Sequence, residues 1–382
     1  MSRREPLLLV YAQDAGGARA LAPVVRRLQG RPGWRVRAVT HLFAGEVFRE
    51  AGIEAADLAG CAGAIPLDGE GASRFLDEAS PAALVCTTSE NRHDPSNGML
   101  IEAAGRAGLP SFALMDHWKG WGRLHREPGD LSYLPGVLGV IDAPSFRRGT
   151  REGVTPDRMA VVGHPHLEIL AESGEGDREA LRAELGILRG DFAVAFFSQP
   201  AVGAPGEGPL VRPLLEGARK RAVNELALRL AQLLERRGRR SRFLIRLHPR
   251  ERGGGRPDLR PAAEWAEESI PSLGLARAAD LVLGLDSMIL YEAWACGKPV
   301  LSLRFGEFAD VPGAFEDDPG LLPCVEGPAG VEAFVEEQLK GRATRAHAGY
   351  PLPAGSPEAC ERAIRGLIEP GGHAARREEA GR

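Results

Sequence analysis

Short apolar runs alternate with amphipathic stretches along most of the chain. In the first half "PLLLVYA" leads through "QDAGG" into "ARALAPVVRRLQG", "WRVRAVTH" precedes "AGEVFREAG", and "AALVCTTS" precedes "GMLIEAAGRAG"; "PSFALMD", "GVLGVIDAP" and "RMAVVGHP" follow. Uninterrupted apolar runs set between helical patterns predict parallel strands covered on both faces, the signature of a doubly wound α/β sheet. The pattern restarts after residue 163 with "FAVAFFSQP", the long helical stretch "VRPLLEGARKRAVNELALRLAQLLERR", "RFLIRLHPRE", "ADLVLGLD", "ILYEAWACG" and "PVLSL". Two shorter helical patterns, "GVEAFVEEQL" and "PEACERAIRGLI", close it. The expectation is two tandem Rossmann-like domains, residues 1–163 and 164–368, joined at "GHPHLEILAESGEGDRE" and followed by a disordered tail, 369–382. The insert 201–209, "AVGAPGEGP", and the stretch 251–258, "ERGGGRPD", are expected to be flexible from their glycine content.

Composition narrows the class. At 382 residues the chain exceeds the size at which a single core keeps growing. With 43% hydrophobic and 26% charged residues it reads as globular, and no apolar run approaches the roughly 20 residues that cross a bilayer. The basic start "MSRREPLLLVYAQDAGG" carries too short an apolar stretch for a secretion signal, so a cytoplasmic protein is expected. The five cysteines are odd in number and lack C-x-x-C spacing, which argues for reduced, buried thiols. A formal net charge of −4 supplies no general attraction for nucleic acid or an anionic membrane. The histidines show neither H-x-x-x-H nor H-E-x-x-H spacing, and no metal site is expected.

Ligands of open parallel sheets bind outside the carboxyl ends of the strands, so the residues after each apolar run are the candidates. Those positions are polar throughout: Gln13-Asp14-Ala15-Gly16-Gly17, Thr87-Thr88-Ser89-Glu90, Asp116-His117-Trp118, Gly163-His164, Ser198-Gln199, Arg246-Leu247-His248 and Asp286-Ser287. Asp286 or Ser287 is expected to cap a helix that Gly297 and Pro299 terminate, leaving first-turn N–H groups aimed at an anion. Met288 and Glu292 are four apart, so the carboxylate shares a face with that first turn and suits a sugar hydroxyl; a simple cap and a surface Glu are the bland counterpart. Arg246 and His248 alternate with Leu247 before Pro249, which puts a guanidinium and an imidazole on one side of a strand end, a pairing suited to a diphosphate. "QDAGGA" lacks the dinucleotide and Walker patterns, and leaves a tight turn through Gly16 and Gly17 with Asp14 at its rim as a cap, a general base or an acceptor ligand. In "LMDHWKGWGRLHREPGD", Asp116 beside His117 suits base chemistry, and Trp118 and Trp121 offer flat faces for stacking or, alternatively, belong to the core.

Two tandem Rossmann-like domains, the "VVGHPHLE" junction, which is similar to a G-[NQ]-P-x-[LF]-[DE] element, the "IRLHP" strand end and "DSMILYEAWACGKPVLSL" together resemble the GT-B superfamily of nucleotide-sugar glycosyltransferases. Non-hydrolysing UDP-sugar 2-epimerases and the glycerophosphotransferases of teichoic acid and capsule synthesis carry related S-x-x-x-x-E-A-x-x-x-G-K-P and LHP elements. The resemblance spans roughly residues 6–368 and its motifs concentrate in the C-terminal half. It implies two doubly wound domains facing across a cleft, with the donor nucleotide bound by the C-terminal one. Ser287 and its following N–H groups would meet the diphosphate, Glu292 the ribose or sugar hydroxyls, and Arg246 and His248 the leaving group, with Ser198, Gln199, Asp286 and Met288 around them. The acceptor would lie near Asp14, Asp116 and His117 and the Gly16-Gly17 loop. The resemblance further implies a metal-independent glycosyltransferase of polysaccharide biosynthesis, with a nucleoside-diphosphate sugar such as a UDP-sugar as co-substrate, a small-molecule or glycan acceptor, and no other cofactor. A 2-epimerase, a glycerophosphotransferase and a degenerate nucleotide-binding member are the alternatives. The "DSMIL" turn stands where epimerases usually carry a glycine-rich one.

Overall fold

The computed structural model describes residues 5–91, 94–173, 177–199, 217–248, 251, 263–306, 322–341 and 352–368. The chain divides into two compact units, residues 1–169 with 351–382, and residues 170–350.

In the first unit the strands are β1 (Leu7–Ala12), β2 (Arg35–Thr40), β3 (Ala55–Asp57), β4 (Ala83–Thr87), β5 (Ser111–Leu114), β6 (Val137–Val140) and β7 (Met159–Val161). They form a parallel sheet in the order β3-β2-β1-β4-β5-β6-β7. Its helices are α1 (Ala15–Gln29), α2 (Ala44–Glu50), α3 (Leu58–Ala62), α4 (Gly69–Ala79), α5 (Ser96–Arg106) and α6 (Ala143–Arg151), and the chain leaves through α7 (Pro165–Ser173). The period-2 alternation of β1 shows why both sheet faces are covered. Leu8, Val10 and Ala12 join the core under α1, whereas Leu9 and Tyr11 join the opposite core with Leu76 and Leu100.

The second unit contains α8 (Arg178–Glu184), β8 (Phe192–Phe197), α9 (Gly217–Arg236), β9 (Ser241–Arg246), β10 (Glu264–Trp265), α10 (Ser272–Ala278), β11 (Leu281–Gly284), α11 (Met288–Ala295), β12 (Val300–Leu303), β13 (Cys324–Val325) and α12 (Pro328–Leu339). Its parallel sheet has the order β10-β9-β8-β11-β12-β13. Phe192, Val194 and Phe196 of β8 pack against Leu226, Leu230 and Leu233 of α9.

The expected domain boundaries need correction in two respects. The division falls inside α7, after Ile169, rather than at 163/164, and the last helix, α13 (Ser356–Ile368), belongs to the first unit rather than the second. Its residues Cys360, Ile364 and Leu367, spaced for one helical face, enter the core beneath α1. Glu361 pairs with Arg27, with Arg31 at 3.5 Å and with Arg365 at 3.1 Å, and the Arg365 guanidinium lies 4.8 Å from the centre of the Trp34 ring. The Glu168 carboxylate accepts the backbone N–H groups of Gly355 and Ser356, at 2.5 and 2.7 Å, and so caps the helix from a distant element. Gly163 makes this approach possible. It sits at φ +81°, and a Cβ there would stand 2.1 Å from Ser356 Oγ. The expectations for 201–209 and 369–382 lie outside the described residues, as does most of 251–258; Glu251 itself is ordered and buried.

Glu361 carries a pH dependence. Burial opposes its ionisation, but hydrogen bonds from Arg365 and Arg27 overcome this and hold its carboxyl below the usual range. A depressed folded-state pKa stabilises above the unfolded-state value and is lost as pH falls through the folded one. Acid unfolding of the wild type below about pH 4.5 is therefore expected to include a contribution that Glu361→Gln removes. Denaturation midpoints measured from pH 7 to pH 3 check this: the gap between the two proteins should narrow with acid, and a constant gap would reject it.

Candidate functional site

The polar residues expected at strand ends lie at the carboxyl edges of both sheets. In the first unit the turn from β1 into α1 carries Asp14 as N-cap residue, in extended backbone at φ −88°. Its carboxylate accepts the N–H of Glu90, after β4, at 3.2 Å. Gly17 lets α1 come down on the end of β4, because a Cβ there would be 2.6 Å from Thr87 Oγ1. A Cβ on Gly16 would be 3.2 Å from Asp116 Oδ2, which places the Asp116 carboxylate against the same turn.

Asp116 is buried and ion-paired with Arg123 at 2.5 Å; Arg123 also donates to the Thr88 carbonyl at 3.2 Å. Burial works against the Arg123 charge, but Asp116, Asp14 and Glu90 outweigh it and raise its pKa. One guanidinium thus sits among three carboxylates at this edge. Arg123 was not singled out in the sequence; its only signal was its position seven residues after Asp116. Next to this cluster the hydroxyls of Thr87 and Thr88 and Oδ1 of Asn97 are buried without a hydrogen-bond partner among the described residues. Buried polar atoms left this way mark places where a ligand hydroxyl or water completes the bonding.

The Asp116 carboxylate faces Arg123, and Nδ1 of His117 accepts the N–H of Lys119 at 3.0 Å. Trp118 and Trp121 are core residues, 1% and 6% exposed, so their faces are not presented for stacking. Their Nε1 groups donate to Asp142 Oδ2 and to the Trp118 carbonyl. His164, in the "GHP" turn, stacks on Trp118 and bonds the Asp116 carbonyl at 3.1 Å through Nε2, while its Nδ1 accepts the Leu167 N–H. A further pair was not foreseen: Nε2 of His41, after β2, lies 2.8 Å from Asp94 Oδ2.

In the second unit Ser198, Gln199, Asp286 and Ser287 gather where β8 and β11 end. Gln199 Oε1 accepts the N–H of Asp286 at 3.0 Å. Asp286 Oδ1 stands 4.0 Å from Arg304, at the end of β12. Ser198 donates to Glu251 Oε2 at 2.6 Å, and the same oxygen accepts the N–H of His248 at 3.0 Å. Glu251, hidden in a glycine-rich stretch, is therefore the carboxylate that ties the ends of β8 and β9 together. Ser287 is the N-cap of α11, in extended backbone, but its hydroxyl does not cap; Oγ is buried without a partner among the described residues. Met288 begins the helix half-buried, and Glu292 is 5% exposed, not a surface residue.

Arg246, at the end of β9, is bonded to backbone. Its Nη2 donates to the carbonyls of Glu267 and Ile270, at 2.7 and 2.6 Å, and the residue is 5% exposed. It anchors the segment after β10, while His248 stays half-buried at the edge. Arg246→Met strands two buried carbonyls, so a loss of about 2 kcal/mol or more in unfolding free energy is expected. Urea titration measures that loss; unchanged stability together with weakened nucleotide binding would return Arg246 to the ligand.

No family model and no curated protein sequence matches the chain. Solved structures do. A UDP-GlcNAc 2-epimerase from Neisseria meningitidis bound to UDP-GlcNAc is similar over 94% of this chain and 98% of its own, at 14% identity and a TM-score of 0.65. HepE of Anabaena in complex with UDP and glucose is similar over 98% of both chains, at 13% identity and a TM-score of 0.55. The glycotransferase of kitacinnamycin is likewise similar over 98% of both, at 15% identity and a TM-score of 0.51. Two parallel Rossmann-like sheets of seven and six strands, matched across nearly the full length of these proteins, give this chain the GT-B fold.

Proposed function

We propose that the chain is a glycosyltransferase that moves a sugar from a nucleoside diphosphate to a hydroxyl-bearing acceptor without a metal ion, the nucleotide being recognised by the second unit and the acceptor by the first. The observation that carries this reading is the start of α11, where a helix N-terminus without a side-chain cap, at the end of β11, adjoins the buried Ser287 hydroxyl, which has no partner among the described residues. First-turn N–H groups and the positive end of the helix dipole favour an anion, and a diphosphate presents several oxygens to them. Ser287 adds one more donor. Glu292, buried one turn further on, supplies an acceptor for ribose or sugar hydroxyls. Fixed donors aimed at a departing diphosphate do the work a divalent cation does elsewhere, which supports transfer without metal. The UDP complexes among the solved neighbours support a uridine nucleotide as the first to try.

A second reading, a UDP-sugar 2-epimerase, is favoured by the higher TM-score of 0.65 to the Neisseria enzyme, against 0.55 and 0.51 for the two others. Chromatography of a UDP-GlcNAc incubation separates the two. Transfer releases free UDP and needs an acceptor; epimerisation yields a second UDP-sugar with no UDP and no acceptor.

Calorimetry with UDP, CDP, GDP, ADP and dTDP in the absence of metal is expected to show one diphosphate bound selectively. Ser287→Ala should weaken that binding by about 1 kcal/mol, roughly fivefold. Failure of every diphosphate to bind would overturn both readings.

A further inference from the structure

We propose that the turn from β1 into α1 seats a protonated amine between the Gly16-Gly17 backbone, Asp116 and Thr87, and that the acceptor is an amino sugar or a similar amine-bearing polyol. The amine seat stands on the first unit alone; that the amine belongs to the acceptor rests on the transferase reading.

Gly16 and Gly17 lie in the first turn of α1, where glycine is the poorest helix former after proline. Neither takes a positive φ, so the backbone does not require them. They keep space instead. A Cβ on Gly17 would stand 2.6 Å from Thr87 Oγ1, and one on Gly16 3.2 Å from Asp116 Oδ2. Both side chains that face this space have bonding capacity left over. Thr87 Oγ1 is buried with no hydrogen-bond partner among the described residues. Asp116, 3% exposed, meets Arg123 through Oδ1, while its Oδ2 accepts no hydrogen bond among the described residues. The turn is nevertheless within reach of solvent, since Asp14, Ala15 and Gly16 are only half-buried.

The chemistry of these atoms selects the ligand. A carboxylate oxygen accepts only, and a threonine hydroxyl completes whichever bond is offered. The field at this edge is negative. Burial works against the Arg123 charge, yet Asp116, Asp14 and Glu90 raise its pKa; burial first, then Asp94 and Asp14, push the Tyr11 hydroxyl up. A helix start by itself favours an anion, but the N-cap residue of α1 is Asp14, whose carboxylate offsets the helix dipole. An ammonium group, with three donors and a positive charge, fits this setting, whereas a phosphate or carboxylate is repelled. A metal ion is less well served, because among the described residues no three His, Cys, Asp or Glu side chains are grouped to hold one. Thr88 Oγ1 and Asn97 Oδ1 are likewise buried without a partner among the described residues, and Asn97 Nδ2 bonds the Thr87 carbonyl at 2.6 Å, which places them at the same end of β4. Such atoms suit the hydroxyls or ordered water that accompany an amino sugar rather than an apolar amine.

The test uses the full chain at about pH 6, where an amine of this kind is protonated, with glucosamine, glucose and N-acetylglucosamine as probes. Calorimetry is expected to show glucosamine bound about tenfold or more tightly than either neutral sugar. Gly16→Ala suits a helix and is expected to keep or raise the thermal unfolding midpoint, yet to erase the preference, because its methyl group takes the place of the amine. Asp14→Asn is expected to reduce the preference about threefold or more, and serves if the first variant fails to fold. Equal affinity for the three sugars, binding of none, a preference undiminished in the variants, or displacement of glucosamine by millimolar Mg²⁺ or inorganic phosphate overturns the amine seat. With the donor found by the nucleotide panel, transfer to glucosamine is expected to exceed transfer to glucose about tenfold in kcat/KM. Equal transfer to the two overturns the acceptor class. Selective binding of glucosamine by a wild type that transfers sugar from no nucleotide overturns the transferase reading and upholds the amine seat.

Discussion

The first unit depends on one carboxylate and one glycine. Glu168 binds the two leading N–H groups of α13 while Gly163, at positive φ, clears the space that Ser356 occupies. Without that capture the last helix would have no fixed start, and Cys360, Ile364 and Leu367 would leave an open face on the core beneath α1. The position of α1 fixes the turn from Gln13 to Gly17, because Gly17 packs directly on Thr87. The "GHPHLE" turn also reaches the other side of the edge, since His164 holds the Asp116 carbonyl. A short motif thus sets both walls of the polar edge at once, although none of its residues needs to meet a ligand.

Charge is organised differently at the two sheet edges. In the first unit Asp14, Glu90 and Asp116 surround Arg123, so the edge is acidic but its most buried carboxylate is neutralised. An unpaired buried charge there would cost several kcal/mol, which explains why Asp116 is tied down. In the second unit the carboxylates of Glu251 and Asp286 are drawn to strand ends, by Ser198 and the His248 N–H in one case and beside Arg304 in the other. The start of α11 is left with N–H groups and one hydroxyl.

Much of the fold was legible because the strands are buried on both faces. "LLLVYA", "FAVAFF" and "LVLG" are continuous apolar runs that solvent-exposed strands would not show. The edge strands β3, β10 and β13, two or three residues long, are too short for any periodicity to register, and they were missed. The last helix was legible as a helix but not in its place: an amphipathic pattern states that a face is buried, not which core buries it. The same limit governs the site. Strand-end positions follow from the pattern, so Asp14, Ser198 and Ser287 lie at the sheet edges as expected, whereas Arg123, Asp94 and Glu251 lie away from strand ends and gain their partners only through the fold. Arg246 does lie at the edge, as alternation with His248 indicates, but nothing local reveals the two carbonyls that its Nη2 bonds.

The contrast between the two edges bears on how the proposed chemistry divides. Sugar transfer from a diphosphate needs two opposed electrostatic environments, one that accepts a proton from the attacking hydroxyl and one that accepts negative charge on the leaving group. A single edge serves both poorly, because donors that stabilise a diphosphate also stabilise the unprotonated form of a nearby base and weaken it. Placing carboxylates on one Rossmann-like sheet, and a helix start without a side-chain cap on another, removes that conflict. Each sheet then holds its own environment fixed before any ligand arrives, so the arrangement costs little reorganisation when charge develops.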